Sequence, residues 1–189
     1  MRSFIQICKL DACRYIGIDH LSIISILKLY IKTPGFKYMV RMRFMNYCRH
    51  SSFGMFLLPV AYLMYRHSMI KYGIVIPYNT SIGEGFYIGH FGGVVVNSNV
   101  VIGKNVNISH GVTIGQGGDD NDKGSPIIGD NVYIGPNSTI VGKIRIGNGV
   151  AIGANAFVNK DVPDNVTVGG VPAKIISLKG SLNYIHNKI

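Results

Sequence analysis

Between residues 76 and 158 an aliphatic side chain returns every six residues, and no other feature of the chain constrains its fold as much. Ile76, Ile82, Ile88 and Val94 are six apart, and after a slip of two residues Val96, Ile102, Ile108 and Ile114 resume the period. A non-repeating stretch, QGGDDNDKGSP at 116–126, interrupts the series, which Ile128, Ile134, Ile140, Ile146, Ile152 and Val158 then complete. Six residues are too few for a helix-turn-helix unit. They suit a solenoid of short parallel strands, each inward aliphatic stacking on the one a coil away. Glycine follows the aliphatic at 83, 89, 103, 115, 129, 135, 147 and 153, where it is expected to let the backbone turn at points a Cβ would obstruct. A purely structural solenoid accounts for this pattern. By itself it requires neither the interrupting loop nor two histidines inside the repeat, His90 and His110.

Ahead of the repeat the period changes. Leu21, Ile24, Leu27 and Ile31 fall at spacings of three and four, which is helical. TPGFK at 33–37 and RHSSFG at 49–54 carry turn residues, so two to four short helices are expected, one of them started or kinked at Pro59. The organisation read from sequence is an α-helical segment over 1–73, a solenoid over 74–170 and a tail over 171–189. The apolar runs LSIISILKLYI and FGMFLLPVAYLMY fall short of the roughly 20 residues that a membrane span needs. The start of the chain lacks the apolar core of a secretory leader. Cys8, Cys13 and Cys48 match neither a disulfide framework nor a common zinc spacing, which indicates a reducing, cytoplasmic setting.

The net charge of +10 is unevenly spread. Residues 1–73 hold 11 Lys and Arg against Asp11 and Asp19, whereas the remainder is nearly balanced. The basic segment reads either as helices lying at anionic lipid on the inner membrane face or as a solvated outer surface. A nucleic-acid partner is not expected.

The repeat together with IGEGFYIGHFGGVVV, VTIGQGG, the loop ending in Pro126, IGANAFV and VGGVPAKII resembles the hexapeptide-repeat acyltransferases, most closely their serine acetyltransferase branch. The resemblance covers residues 74 to about 178. It implies a mainly β fold, a left-handed parallel β-helix, with acetyl-CoA as donor, a homotrimer, and a site between neighbouring subunits. It also places His90 at the catalytic position, where a neutral imidazole takes the acceptor's hydroxyl proton as oxygen attacks the thioester. A corner histidine bonded only to backbone is the structural alternative. His110 lies twenty residues on, one three-repeat coil plus the slip, so it is expected to stack near His90 as an acceptor contact.

Resemblance further places Gly117 near the thioester, with backbone N–H groups there for the oxyanion. Pro136 and Ala154 would lie along the pantetheine, and Lys174 near the CoA phosphates. No residue is placed as a covalent nucleophile, and no metal is expected, the acidic DDND of the loop reading as a solvated hairpin.

Three charged features of the branch are missing. Val75 stands where an aspartate would orient the histidine, Gly89 where another would hold the amino acid, and Gly124-Ser125 where an Arg-His pair would end the loop. A zwitterion needs partners for both its charges. From these positions the expected acceptor is a saccharide hydroxyl, in bacterial surface-polysaccharide synthesis (O-antigen, capsule or exopolysaccharide), with Ser125 and His110 as contacts. Serine O-acetylation in cysteine biosynthesis and a non-catalytic scaffold are the alternatives. Tyr78, Glu84 or a backbone carbonyl could orient His90, and Arg14 or Asp11 could restore charge for an amino acid.

Overall fold

The computed structural model describes residues 3–118 and 123–189. Among the described residues four α-helices come first: α1 (Phe4–Ile16), α2 (Ile23–Lys32), α3 (Pro34–His50) and α4 (Leu58–Tyr72). Ser3 and Gln6 form a reciprocal capping box at the start of α1, which satisfies donors a helix end leaves orphaned. Pro34 and Pro59 sit in the first turns of α3 and α4, so Pro59 starts its helix and does not kink it.

The solenoid follows in coils of three strands. The first coil holds β1 (Ile74–Val75), β2 (Ser81–Ile82) and β3 (Tyr87–Ile88), and the second β4 (Val94–Val96), β5 (Val101–Ile102) and β6 (Asn107–Ile108). The third holds β7 (Thr113–Gly115), β8 (Ile127–Ile128) and β9 (Tyr133–Ile134), and the fourth β10 (Thr139–Val141), β11 (Arg145–Ile146) and β12 (Ala151–Ile152). The chain ends with β13 (Phe157–Val158), β14 (Thr167–Gly169) and β15 (Lys174–Ser177). These strands build three sheets, β1-β4-β7-β10-β13, β2-β5-β8-β11 and β3-β6-β9-β12-β14-β15, parallel except for the β14–β15 pair. The fold is the left-handed parallel β-helix with an N-terminal helical segment expected from the sequence.

Register follows the repeat. Ile88 faces Ile108, Ile108 faces Ile134, and Ile134 faces Ile152 along one sheet. All the repeat aliphatics are buried except Ile82, which is partly covered. A second inward set, including Phe86, Val106, Val132 and Val150, fills the corners. The slip is absorbed beside His90: Gly92 and Gly93 take φ of 109° and 67°, and Gly111 N–H donates to the Gly92 carbonyl at 2.8 Å.

A Cβ would be obstructed at several of the glycines after the aliphatics, as expected, but the sharp turn does not fall on them. A Cβ on Gly83 would come 2.7 Å from the Gly103 backbone, and one on Gly103 would come 2.6 Å from the Gly129 carbonyl. At these two positions, and at Gly129, Gly135 and Gly147, the next coil lies against the glycine and leaves no room for a side chain. The left-handed turn comes two residues later, at Gly85, Asn105, Asn131 and Gly149, where φ lies between 54° and 73°. Asparagine tolerates that region better than most side chains.

The helices close the open end of the solenoid. The first coil has no coil before it, so its backbone groups would meet apolar helix surface unpaired. Side chains take the missing coil's place. The Tyr38 hydroxyl lies 3.0 Å from Ile76 N and 2.8 Å from Ile76 O, and the Tyr15 hydroxyl lies 2.9 Å from Ile88 N and 3.2 Å from Ile88 O. Asp11 accepts from Gly85 N–H and Phe86 N–H, while Arg43 binds Asp11 and donates to the Ile82 and Gly83 carbonyls.

Candidate functional site

Register explains why His90, His110, Pro136 and Ala154 share one edge. Each stands two residues after one of the mutually facing aliphatics Ile88, Ile108, Ile134 and Ile152. All four therefore fall on the corner between the third strand of one coil and the first of the next. Backbone bonds tie the rungs together: Asn137 N–H donates to the His110 carbonyl at 3.0 Å, and Asn155 N–H to the Pro136 carbonyl at 2.9 Å. Lys174, exposed on β15 opposite Gly169, lies at the far end of this edge.

The two histidines meet as expected. Their rings are 6.0 Å apart and edge to face, at 81°, and both side chains are exposed. Two imidazoles so placed can take up a proton and hydrogen-bond the same small acceptor. Phe91, half exposed, packs against Tyr72 at 5.7 Å and forms an apolar wall beside them.

Tyr78 and Glu84, two of the three groups that could orient His90, stand at other corners. Tyr78 packs edge-on against Tyr65 at the corner after β1, and Glu84 pairs with Lys104 at 3.0 Å at the corner after β2. Both belong to other edges of the triangular coil. The strand beneath His90 is positioned by Tyr15, whose ring also lies 4.3 Å from that of Tyr87. Burial pushes the Tyr15 phenol well above its usual range, so it remains a donor to the Ile88 carbonyl. Tyr15 sits outside the repeat and had no periodic signal to reveal it.

Arg14 and Asp11 are likewise committed elsewhere. Arg14 donates to the carbonyls of Gly85 and His186 and to Asn107 Oδ1, and Asp11 is held by Arg43. Both fasten the helical layer and neither reaches the histidine edge.

Gly117 and Ser125 occupy a different edge, the corner after β7. Gly117 and Gly124 exchange backbone bonds of 3.1 and 3.0 Å and close the base of the loop, and Ser125 Oγ lies 3.4 Å from Asn97 Oδ1. The DDND segment lies outside the described residues. One sheet separates this corner from His90, so a single chain does not unite the two halves of the expected site.

The uncharged positions have local causes. A Cβ on Gly89 would come 2.9 Å from the Tyr87 ring, and one on Gly124 would come 2.5 Å from Lys143 Cβ. The space of a side chain at 89 is taken by an aromatic ring. At 124 it is taken by the stem of a lysine from the next coil, which brings a cation to that corner. Val75 points outward on β1, half exposed beside Val95.

The bacterial transferase hexapeptide family (six repeats) matches residues 125–160. A serine acetyltransferase of Bacillus pumilus is 35% identical over 108 residues, which are 57% of this chain and 50% of that protein. The solved serine O-acetyltransferase of Brucella melitensis superposes with a TM-score of 0.75 at 30% identity, covering 94% of this chain and 68% of that one. The serine acetyltransferase of Neisseria gonorrhoeae, solved in complex with serine, gives a TM-score of 0.73 at 30% identity, covering 92% and 69%. This chain spans half or less of the first curated relatives it matches.

These relatives overturn the saccharide acceptor and the role in surface-polysaccharide synthesis expected from the sequence, since all of them are named for serine. The expectation failed because it took charge at four positions of one chain as the charge of the site. Lys143, whose stem lies against Gly124, comes from another coil and is not read from position 124 itself.

Proposed function

The chain belongs to the hexapeptide-repeat acyltransferases, among their serine acetyltransferase-like members, and from this membership we propose that it transfers acetyl from acetyl-CoA to the hydroxyl of L-serine. The observation that carries the reading is the superposition over 92% of the chain on a relative solved with serine bound. Substrate is acted on directly, with no acyl-enzyme.

In this reading His90 removes the serine hydroxyl proton as the oxygen attacks the thioester carbon. The C–S bond then breaks, and the protonated imidazole returns its proton to the departing CoA thiolate. Acetyl-CoA lies along the edge of Pro136 and Ala154, whose short side chains leave room for an extended arm, and Lys174 meets its phosphates. His110 contacts the acceptor from the adjacent rung.

The separation of His90 from Gly117 supports a homotrimer in which the histidine edge of one copy faces the Gly117 corner of the next. The outward valines of β1 and β4, Val75 and Val95, offer an apolar contact between copies. Backbone N–H groups at Gly117 then steady the oxyanion, and Ser125 contacts the acceptor. Lys123, exposed at that corner, suits the serine carboxylate.

Incubation with acetyl-CoA and L-serine tests the proposal. O-acetylserine identified by mass, formed together with free CoA, is the expected result. Acetyl-CoA that persists unchanged beside serine, with the protein folded, would refute it.

A further inference from the structure

The outer surface of the helical layer has a composition unlike the rest of the molecule. On α2 the buried Leu29 faces α3, and Ile24, Leu27 and Ile31 stand exposed on the opposite side. On α4 the buried residues Ala61, Tyr65 and Ser68 define the inner face. Leu63 and Ile70 are exposed opposite them. The turn before α4 adds Phe53 and Phe56, the latter 86% exposed. A monomeric soluble surface rarely carries so many large apolar side chains together.

Charge on the outer faces of α2 and α4 has one sign. Residues 21–73 contain no Asp or Glu. Some of their cations are used internally: Arg41 bonds Tyr30 and Ser68, and Arg43 bonds Asp11. Lys28 and Lys32 on α2, and Arg66 and Lys71 on α4, are exposed among the apolar residues. Neither helix, at 10 and 15 residues, is long enough to cross a bilayer.

We infer that the exposed faces of α2 and α4 dock on an anionic lipid surface. Leucine, isoleucine and phenylalanine enter the acyl boundary while the flanking lysines and arginine meet headgroup phosphates, the arrangement of an interfacial helix. A second copy of the chain is the poorer occupant, because two such faces would oppose cation to cation with no acid between them. The inference rests on the helical layer alone and is independent of the acceptor.

Flotation of the full chain with vesicles tests it, using phosphatidylcholine alone and phosphatidylcholine mixed with phosphatidylglycerol, at low and high salt. The expected result is binding to the mixed vesicles at low salt, loss of binding at high salt, and none to phosphatidylcholine alone. Lys28→Gln with Lys32→Gln should weaken that binding about 25-fold, at about fivefold per lysine. Leu27→Asp with Leu63→Asp should abolish it, while acetyl-CoA turnover stays at the wild-type level and shows the fold intact. Absence of flotation, or binding indifferent to lipid charge and salt, would overturn the inference. So would an oligomer that Leu27→Asp dissociates, since that would assign the face to a second copy.

Discussion

Tyr15 and Ile88 share both of the strand residue's backbone hydrogen bonds: the hydroxyl accepts from Ile88 N–H at 2.9 Å and donates to its carbonyl at 3.2 Å. Ile88 is two residues before His90, so a side chain of the first helix fixes the strand from which the candidate base projects. Tyr15→Phe leaves both groups without this partner in a buried place, which costs about 1–3 kcal/mol. Chemical denaturation should show that loss. Turnover should fall while the KM for acetyl-CoA, proposed to bind further along the edge, holds.

Gly35 brings the start of α3 against the same strand, and a Cβ there would come 2.2 Å from the Ile88 carbonyl oxygen. Gly35→Ala must push helix and strand apart. We expect about 1–3 kcal/mol of destabilisation, as for other overpacked sites, measured as a lower denaturation midpoint with an unchanged slope. Stability equal to wild type would contradict the tight docking of the helical layer.

Cys8 tests the same layer chemically. Burial, and then the Asp11 carboxylate beside it, push its thiol up from 9.0 to about 12. Alkylating reagents attack the thiolate. Raising the thiol pKa therefore slows modification, and by roughly a thousandfold at pH 8 relative to an ordinary thiol. In the native protein Cys8 should resist iodoacetamide at that pH and react once denaturant is added.

The repeat made the solenoid legible because stacking demands one aliphatic per strand, and the sequence carries it at nearly every strand. His90 and His110 were legible together for the same reason. A twenty-residue spacing equals one coil plus the slip, and the rings lie 6.0 Å apart. Tyr15, Tyr38 and Arg43 were not legible, since capping the first coil needs only one side chain at each place and leaves no period. The acceptor was misread for a related reason. Charge supplied across coils, as Lys143 is beside Gly124, has no signature at the aligned position.

A shared site predicts complementation between subunits. Gly117→Val obstructs the corner where Gly142 N would lie about 3.0 Å from the new Cβ, and His90→Ala removes the base. Each variant alone should be nearly inactive. Unfolding and refolding them together should restore part of the activity, because some interfaces then pair an intact edge with an intact corner. No recovery in assembled mixtures would argue that each site belongs to one chain.

Steady-state release of CoA thiol with L-serine as acceptor, compared between wild type and His90→Ala, decides whether His90 is the base of a serine acetyltransferase. The account predicts a kcat/KM for serine of about 10⁴ M⁻¹s⁻¹ or more in the wild type, and a fall of roughly 10²–10⁴-fold in the variant. Thiol release that serine does not increase, or a His90→Ala protein within a few-fold of wild type, would contradict it.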